Sequence, residues 1–238
     1  MRLIGFSTGA IALSDVDLAL RILHPTRCNA IELSALRESE LRPLIERLDQ
    51  LKPELRRYRH ISFHAPSAIH RSEEARVVGL LASVVQLGWP IIVHPDVIYT
   101  PDLWRSLGRL LCIENMDKRK PVGQTAVDLK PLFELFPDAQ FCLDLGHARQ
   151  VDATMSEAVQ LLRSYHSRLC QIHVSEVNTS SHHDPLTREA MMAFQRVAHL
   201  IPETVPIILE SRVPAEYIDA EIASALSTLD NSRTLASA

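Results

Sequence analysis

Imidazoles and carboxylates recur in this sequence at the ends of short apolar runs. Glu32 closes the run AIE, His64 stands in FHAP, His94 in VHPD and Glu114 in CIENMD. Asp144 and His147 stand in CLDLGHAR, His173 in QIHVSEVN and Glu210 in IILESR. Such side chains are costly in a protein interior unless they are paired or bind metal. Together they are a ligand set for Zn²⁺, Mn²⁺, Fe²⁺ or Co²⁺. One His or Glu at the end of an apolar run is ordinarily a hydrogen-bonded rim group. Seven runs that each end in His, Asp or Glu point to a shared cation site.

The elements that must position these groups are legible from periodicity. Short apolar runs fall at residues 3–7, 30–33, 61–64, 91–94, 110–114, 141–144, 169–174 and 206–210. Their continuous Ile, Val, Leu, Phe and Cys content predicts strands buried on both faces. Helical spacing occupies 15–23, 38–48, 73–87, 103–110, 126–136, 156–165, 188–199 and 215–229. Ser14 and Asp15 open the first helix, Pro101 sits in the first turn of the fourth, and Thr154 with Glu157 forms a capping-box pattern before the sixth. Strict β-α alternation, eight times over, predicts an α/β fold, a single (β/α)₈ TIM barrel. An open doubly wound sheet is the rival, but eight units would make it unusually large and the first turn, STGAIALS, lacks GxGxxG. In a barrel the C-terminal strand ends converge on one mouth, so the polar ends meet there. Residues 1–229 form the barrel domain, and the polar segment 230–238 is expected to be a disordered tail.

Composition narrows the function. The 238 residues are 46% hydrophobic and 23% charged, with a net charge of -4. That balance suits a globular enzyme and argues against nucleic acid as a partner, since such binding rests on phosphate neutralisation. No apolar stretch is long enough to span a membrane. The four cysteines, Cys28, Cys112, Cys142 and Cys170, form no CxxC pair and are expected as free thiols in a cytoplasmic protein. Cys112 and Cys142 precede Glu114 and Asp144 by two residues, which puts them on the same strand face, one layer deeper.

HAP, VHP, IEN, DxxH, the seventh-strand His and the eighth-strand Glu, taken in order, resemble the xylose isomerase-like TIM-barrel superfamily. That superfamily includes sugar phosphate isomerases and epimerases and the endonuclease IV family. The isomerase and epimerase branch implies one divalent metal on Glu114, Asp144, His173 and Glu210. It also implies that Glu114 and Glu210 are the catalytic pair moving a proton beside a carbonyl. The substrate would be a small molecule, a sugar or sugar phosphate. The endonuclease IV branch implies up to three ions and adds His64, His94 and His147, with an Asp-x-His after strand 7. Here that segment reads NTSSHHDPL, so His182 is the expected ligand, His183 a supporting group, and the Asp is replaced by Ser. The expected activity is that of a divalent-metal-dependent isomerase or epimerase of a small sugar or sugar phosphate; as the alternative, this branch implies a di- or trinuclear phosphoester hydrolase, and a related one a multinuclear iron oxidative enzyme. The cofactor is therefore one to three Mn, Zn, Co, Mg or Fe ions per chain.

Further residues are expected around that centre. Lys118, Arg149 and Arg212 follow strand ends and are candidates to bind an anionic substrate group. Asn115, Asp117 and Glu176 are candidates to orient ligands from behind. Glu32 has no role in either branch. Oligomeric state is not encoded in any recognisable way.

Overall fold

The computed structural model describes residues 2–230. Ten strands are present among them: β1 (Ile4–Ser7), β2 (Ala30–Ser34), β3 (His60–His64), β4 (Ile91–Val93), β5 (Leu111–Glu114), β6 (Gln140–Asp144), β7 (Leu169–Val174), β8 (Glu176–Val177), β9 (His183–Asp184) and β10 (Ile207–Leu209). Eight of them close into a parallel barrel in the order β1-β10-β7-β6-β5-β4-β3-β2. This is the expected TIM barrel. β8 and β9 form a separate antiparallel hairpin. The expected tail lies outside the described residues, Asp230 excepted.

The α-helices are α1 (Thr8–Ala12), α2 (Val16–Leu23), α3 (Glu38–Leu55), α4 (Glu74–Leu87), α5 (Pro101–Trp104), α6 (Ala126–Leu135), α7 (Leu145–Val151), α8 (Ser156–Tyr165), α9 (Arg188–Ala198) and α10 (Ile218–Thr228). The main apolar core lies between these helices and the outer face of the barrel. α3 shows how it is built: Leu41, Leu44, Leu48, Leu51 and Leu55 recur at spacings of three and four and are all buried. Each such leucine contributes roughly 1.5–3 kcal/mol by leaving water. Outward strand residues such as Ile31, Phe63, Ile113, Leu143 and Ile172 meet them.

The inward faces are different. Ile92, Cys112 and Cys142 form a small separate apolar cluster inside the barrel. Above it stand Glu32, Ser62 and Gln171, then the histidines and carboxylates of the mouth, nearly all buried. Adjacent strands align these groups in register, with Glu114 opposite Cys142, and Asp144 opposite His173. Period-two alternation then carries every second residue to the same interior.

Three local expectations need correction. The predicted fourth helix over 103–110 is only α5 and a 3₁₀ turn, because Gly108 takes a φ of 54° and breaks it. Thr154 does not cap α8. Met155 occupies the cap with φ 65°, and Asp152 accepts from the Glu157 and Thr154 amides instead. α7 starts immediately after β6 and has no counterpart in the periodicity, because about two turns are too short to show an apolar stripe.

Candidate metal centre

The site is assembled at the mouth from strand ends and the turns that follow them. β6 delivers Asp144, which is also the N-cap of α7: its Oδ1 accepts from the His147 amide at 2.6 Å. That cap fixes the DLGH turn and brings His147 back over the barrel. Gly146 is required there, because a Cβ would stand 2.5 Å from Val177 and 2.7 Å from the Ser175 carbonyl. Asn115 locks the turn from β5. Its Nδ2 donates to the Asp144 carbonyl at 3.0 Å, its Oδ1 accepts from the Asp144 amide at 2.8 Å, and its own carbonyl lies 2.9 Å from His147 Nδ1. Asn115 thus holds two of the expected ligands.

Four overlapping groups result, each with its candidate ligand atoms within 4.8 Å of one another. Glu114, Asp144, His173 and Glu210 form one, the four residues of the isomerase-like set. His64, His94 and Glu114 form a second, and Asp144, His147 and His183 a third. Glu32, His64 and Glu210 form the fourth. Glu114 is the hub. Its Oε1 lies 2.9 Å from His173 Nδ1, and its Oε2 faces His64 Nε2 at 3.4 Å and His94 Nε2 at 3.3 Å.

Those last two contacts are too poorly aligned to be hydrogen bonds, and they leave Glu114 Oε2 without a partner. Glu32 Oε1, His94 Nδ1 and Asp144 Oδ2 are likewise buried and unpartnered. An orphaned buried polar atom costs about 1–3 kcal/mol. Four among the residues of these overlapping groups, all on imidazoles or carboxylates, are what a set of ligands facing a cation would leave. The residues present therefore fit a divalent metal.

The electrostatics agree. Burial alone would raise the Glu114 carboxyl, but His173, His64 and His94 hold it well below the usual range. Burial opposes charge on His64 too, yet the adjacent Glu114 carboxylate and the fields of Glu32 and Glu210 lift it to about 9. Burial and then the Glu114, Asp144 and Glu32 charges outweigh His173 and push Glu210 up to about 8. Burial and the neighbouring His147 drive His183 down to about 3.

The structure separates the remaining candidates. His182 is exposed and belongs to none of the four groups; His183 stands in its place. The reason is local. Ser181 takes φ 54°, β9 begins at His183, and consecutive residues there face opposite ways. His183 Nδ1 lies 2.8 Å from Ser175 Oγ and 3.2 Å from Glu210 Oε2. Lys118 is exposed, and Arg149 is ion-paired to Glu176; neither lines the mouth cavity. Arg119, Lys120 and Arg212 do. Glu176 serves Arg149 and Thr187, not the ligands. Asp117 lines the cavity and accepts from Arg119.

Sequence reading missed the support beneath. Glu32 is fully buried, 3.1 Å from His173 Nε2, and accepts from Ser62 Oγ at 2.9 Å and Gln171 Nε2 at 2.6 Å. A signal existed: Ser62 and Gln171 precede His64 and His173 by two residues, on the same strand face.

The cavity above these groups measures about 440 Å³, room for a small molecule. No helix among the described residues is long and apolar enough to cross a membrane. Neither a family model nor a curated protein matches the chain. Solved structures do. A xylose isomerase domain protein from Alicyclobacillus acidocaldarius subsp. acidocaldarius aligns at TM-score 0.67 and 14% identity, over 96% of this chain and 98% of that one. A racemase from Streptomyces coelicolor A3(2) with bound magnesium aligns at TM-score 0.54 and 11% identity, over 87% of this chain but 56% of that one. At such identities the likeness is one of fold, a closed (β/α)₈ TIM barrel.

Proposed function

We propose that the chain is a multinuclear divalent-metal enzyme that hydrolyses a phosphoester of a small molecule. The observation that carries this reading is the sharing of Glu114. One of its oxygens serves the His173 group and the other faces His64 and His94. A carboxylate whose two oxygens face two different groups of donors suits a bridge between cations.

Bound cations would polarise the phosphoryl oxygen and lower the pKa of a water, the chemistry of two-metal sites. His64, His94 and Glu114 would hold one ion, and Glu114, Asp144, His173 and Glu210 another. Asp144, His147 and His183 offer a third set of donors. Arg212, Arg119 and Lys120 line the same cavity and would receive the substrate's anionic group. Lys120 is fixed there by Asp96 at 2.7 Å and the Ser67 carbonyl at 3.0 Å. Arg119 is fixed by Asp117. Water adds across the P–O bond, giving an alcohol and a phosphate. The net charge of -4 speaks against a duplex as substrate.

A second reading has its own support. Glu210 holds its proton up to about pH 8 in the metal-free site, as an acid in an isomerase or epimerase of a small sugar would. Metal content per chain separates the two, measured on protein purified without added metal. Two or three ions, with turnover of small phosphoesters, are expected. One ion, with sugar isomerisation or epimerisation and no phosphoester turnover, would replace the hydrolase by the second reading.

A further inference from the structure

At the opposite end of the barrel from the mouth, three of the four cysteines meet. Cys112 on β5 and Cys142 on β6 are fully buried, and Cys170 on β7 packs against them. Cys112 Sγ and Cys170 Sγ lie 2.7 Å apart. A disulfide bond is about 2.05 Å, so the two sulfurs stand within an ångström of bonding distance.

Second-neighbour strands ordinarily cannot be bridged, because each strand step adds about 4.8 Å and the Cα atoms stand too far apart. A bulge re-aims one side chain across that gap here. Phe141 pairs with Leu169 and Cys142 with Gln171, so Cys170 is an extra residue in β7. Simple alternation from Gln171 would aim Cys170 outward. Instead Leu169 packs against the outer core and Cys170 turns in against Cys112. A bulge re-aims a side chain in this way. Cys170 is also partly exposed, whereas Cys112 is sealed. Cys170 is the solvent-side member of the pair, and Cys112 lies behind it.

We propose that Cys112 and Cys170 form a peroxide-sensitive pair that closes into a disulfide across the barrel floor. The Cys170 thiol attacks a hydroperoxide; the O–O bond breaks, and water or an alcohol leaves with the thiol proton. Cys170 is then a sulfenic acid, oxidised by two electrons. Cys112 attacks its sulfur, the S–O bond breaks, and the hydroxyl departs as water with the Cys112 proton. The closed link ties β5, which carries Glu114, to β7, which carries His173. This inference is independent of the metal chemistry above.

The test is peroxide treatment of the purified full chain after removal of reductant. Free thiols are counted by alkylation in denaturant, and peptides are mapped without reduction. The expected result is loss of two of the four thiols, with Cys112 and Cys170 in one linked peptide that dithiothreitol separates. Cys170→Ser should retain its remaining three thiols, and Cys28→Ser should still form the link. A link through Cys142, over-oxidised Cys170 without a link, or four intact thiols would each overturn the proposal. Because the map is made on the unaltered protein, it is decisive even where a cysteine variant folds poorly.

Discussion

Two buried glutamates in this molecule face opposite situations. Glu74, at the start of α4, and Glu114, at the end of β5, are each only 1% exposed. Glu74 Oε1 accepts from the Tyr99 amide at 2.7 Å, the Thr100 amide at 2.8 Å and Trp104 Nε1 at 2.8 Å. Every neighbour is a fixed donor, and the carboxylate ties the β4–α5 segment to α4. Glu114 is instead ringed by four imidazoles and by other carboxylates, and one of its oxygens has no aligned donor. Burial is the same; satisfaction is not. A saturated carboxylate holds the fold, whereas an unsaturated one among imidazoles marks a place for a cation.

The comparison breaks most readily at Glu114 itself. Outer-shell partners of a metal typically change affinity about 10–100-fold, so removal of a direct, shared ligand should exceed that range. Glu114→Gln is expected to lose bound metal and at least about 100-fold in turnover, with an unchanged circular dichroism spectrum. Retained metal in that variant would mean that Glu114 is no hub.

Glu74→Ala should show the converse. It strands one buried donor, Trp104 Nε1, and two partly buried amides, at about 1 kcal/mol each. A loss of about 3 kcal/mol is expected, or roughly 6–12 °C in Tm for a chain of this size. Metal content per folded chain should stay at the wild-type level, measured by elemental analysis. A fall in metal stoichiometry with Glu74→Ala would erase the distinction between the two glutamates.

The pH dependence sharpens it further. His64 in the metal-free protein sits at about 9, above its ordinary 6.5. A raised folded pKa contributes stability that is full below the unfolded value and lost as pH rises through the folded one. Glu210, raised from 4.5 to about 8, has the same sign. Glu210 acts from about pH 4.5 to 8 and His64 from 6.5 to 9; the lowered His183 opposes Glu210 below 6.5, so the metal-free protein should lose Tm chiefly between about pH 6.5 and 9. Metal must displace those protons, so the Tm gain from added Zn²⁺ or Mn²⁺ should grow across the same window. Glu74, whose carboxyl its donors hold down against burial, is ionised throughout and contributes nothing to this slope. A flat metal-free profile, measured by scanning calorimetry, would show that His64 and Glu210 exchange no protons on folding.

The extent to which this was legible in the sequence follows the same divide. The barrel announced itself because strands buried on both faces read as apolar runs, and its helices read through stripes such as Leu41 to Leu55. Glu114, Asp144, His173 and Glu210 could be placed together because each ends a run, and parallel strands must deliver their ends to one mouth. His183 could not be told from His182, since the choice depends on one left-handed backbone angle at Ser181. Arg119 and Lys120 could not be told from Lys118 for a similar reason. All three lie in one turn, and only side-chain partners such as Asp117 and Asp96 decide which face the cavity. The inward turn of Cys170 rests on a bulge, which alternation by itself predicts wrongly.

The smallest expected effects test that last distinction. His182 and Lys118 are exposed and outside the cavity, and exposed substitutions away from special features usually stay within about 0.5 kcal/mol. His182→Ala and Lys118→Ala should therefore leave Tm, metal content and turnover near wild type. Each has a neighbour that should not be silent. His183→Ala removes the imidazole held by Ser175 and facing Glu210, and should lower the metal stoichiometry or affinity. Lys120→Ala removes a cation held in the cavity by Asp96, and should weaken substrate binding more than turnover at saturation. Neighbouring residues of one type then differ only in backbone direction. If His182→Ala lost metal while His183→Ala kept it, the hairpin register, and with it the third group of donors, would have to be redrawn.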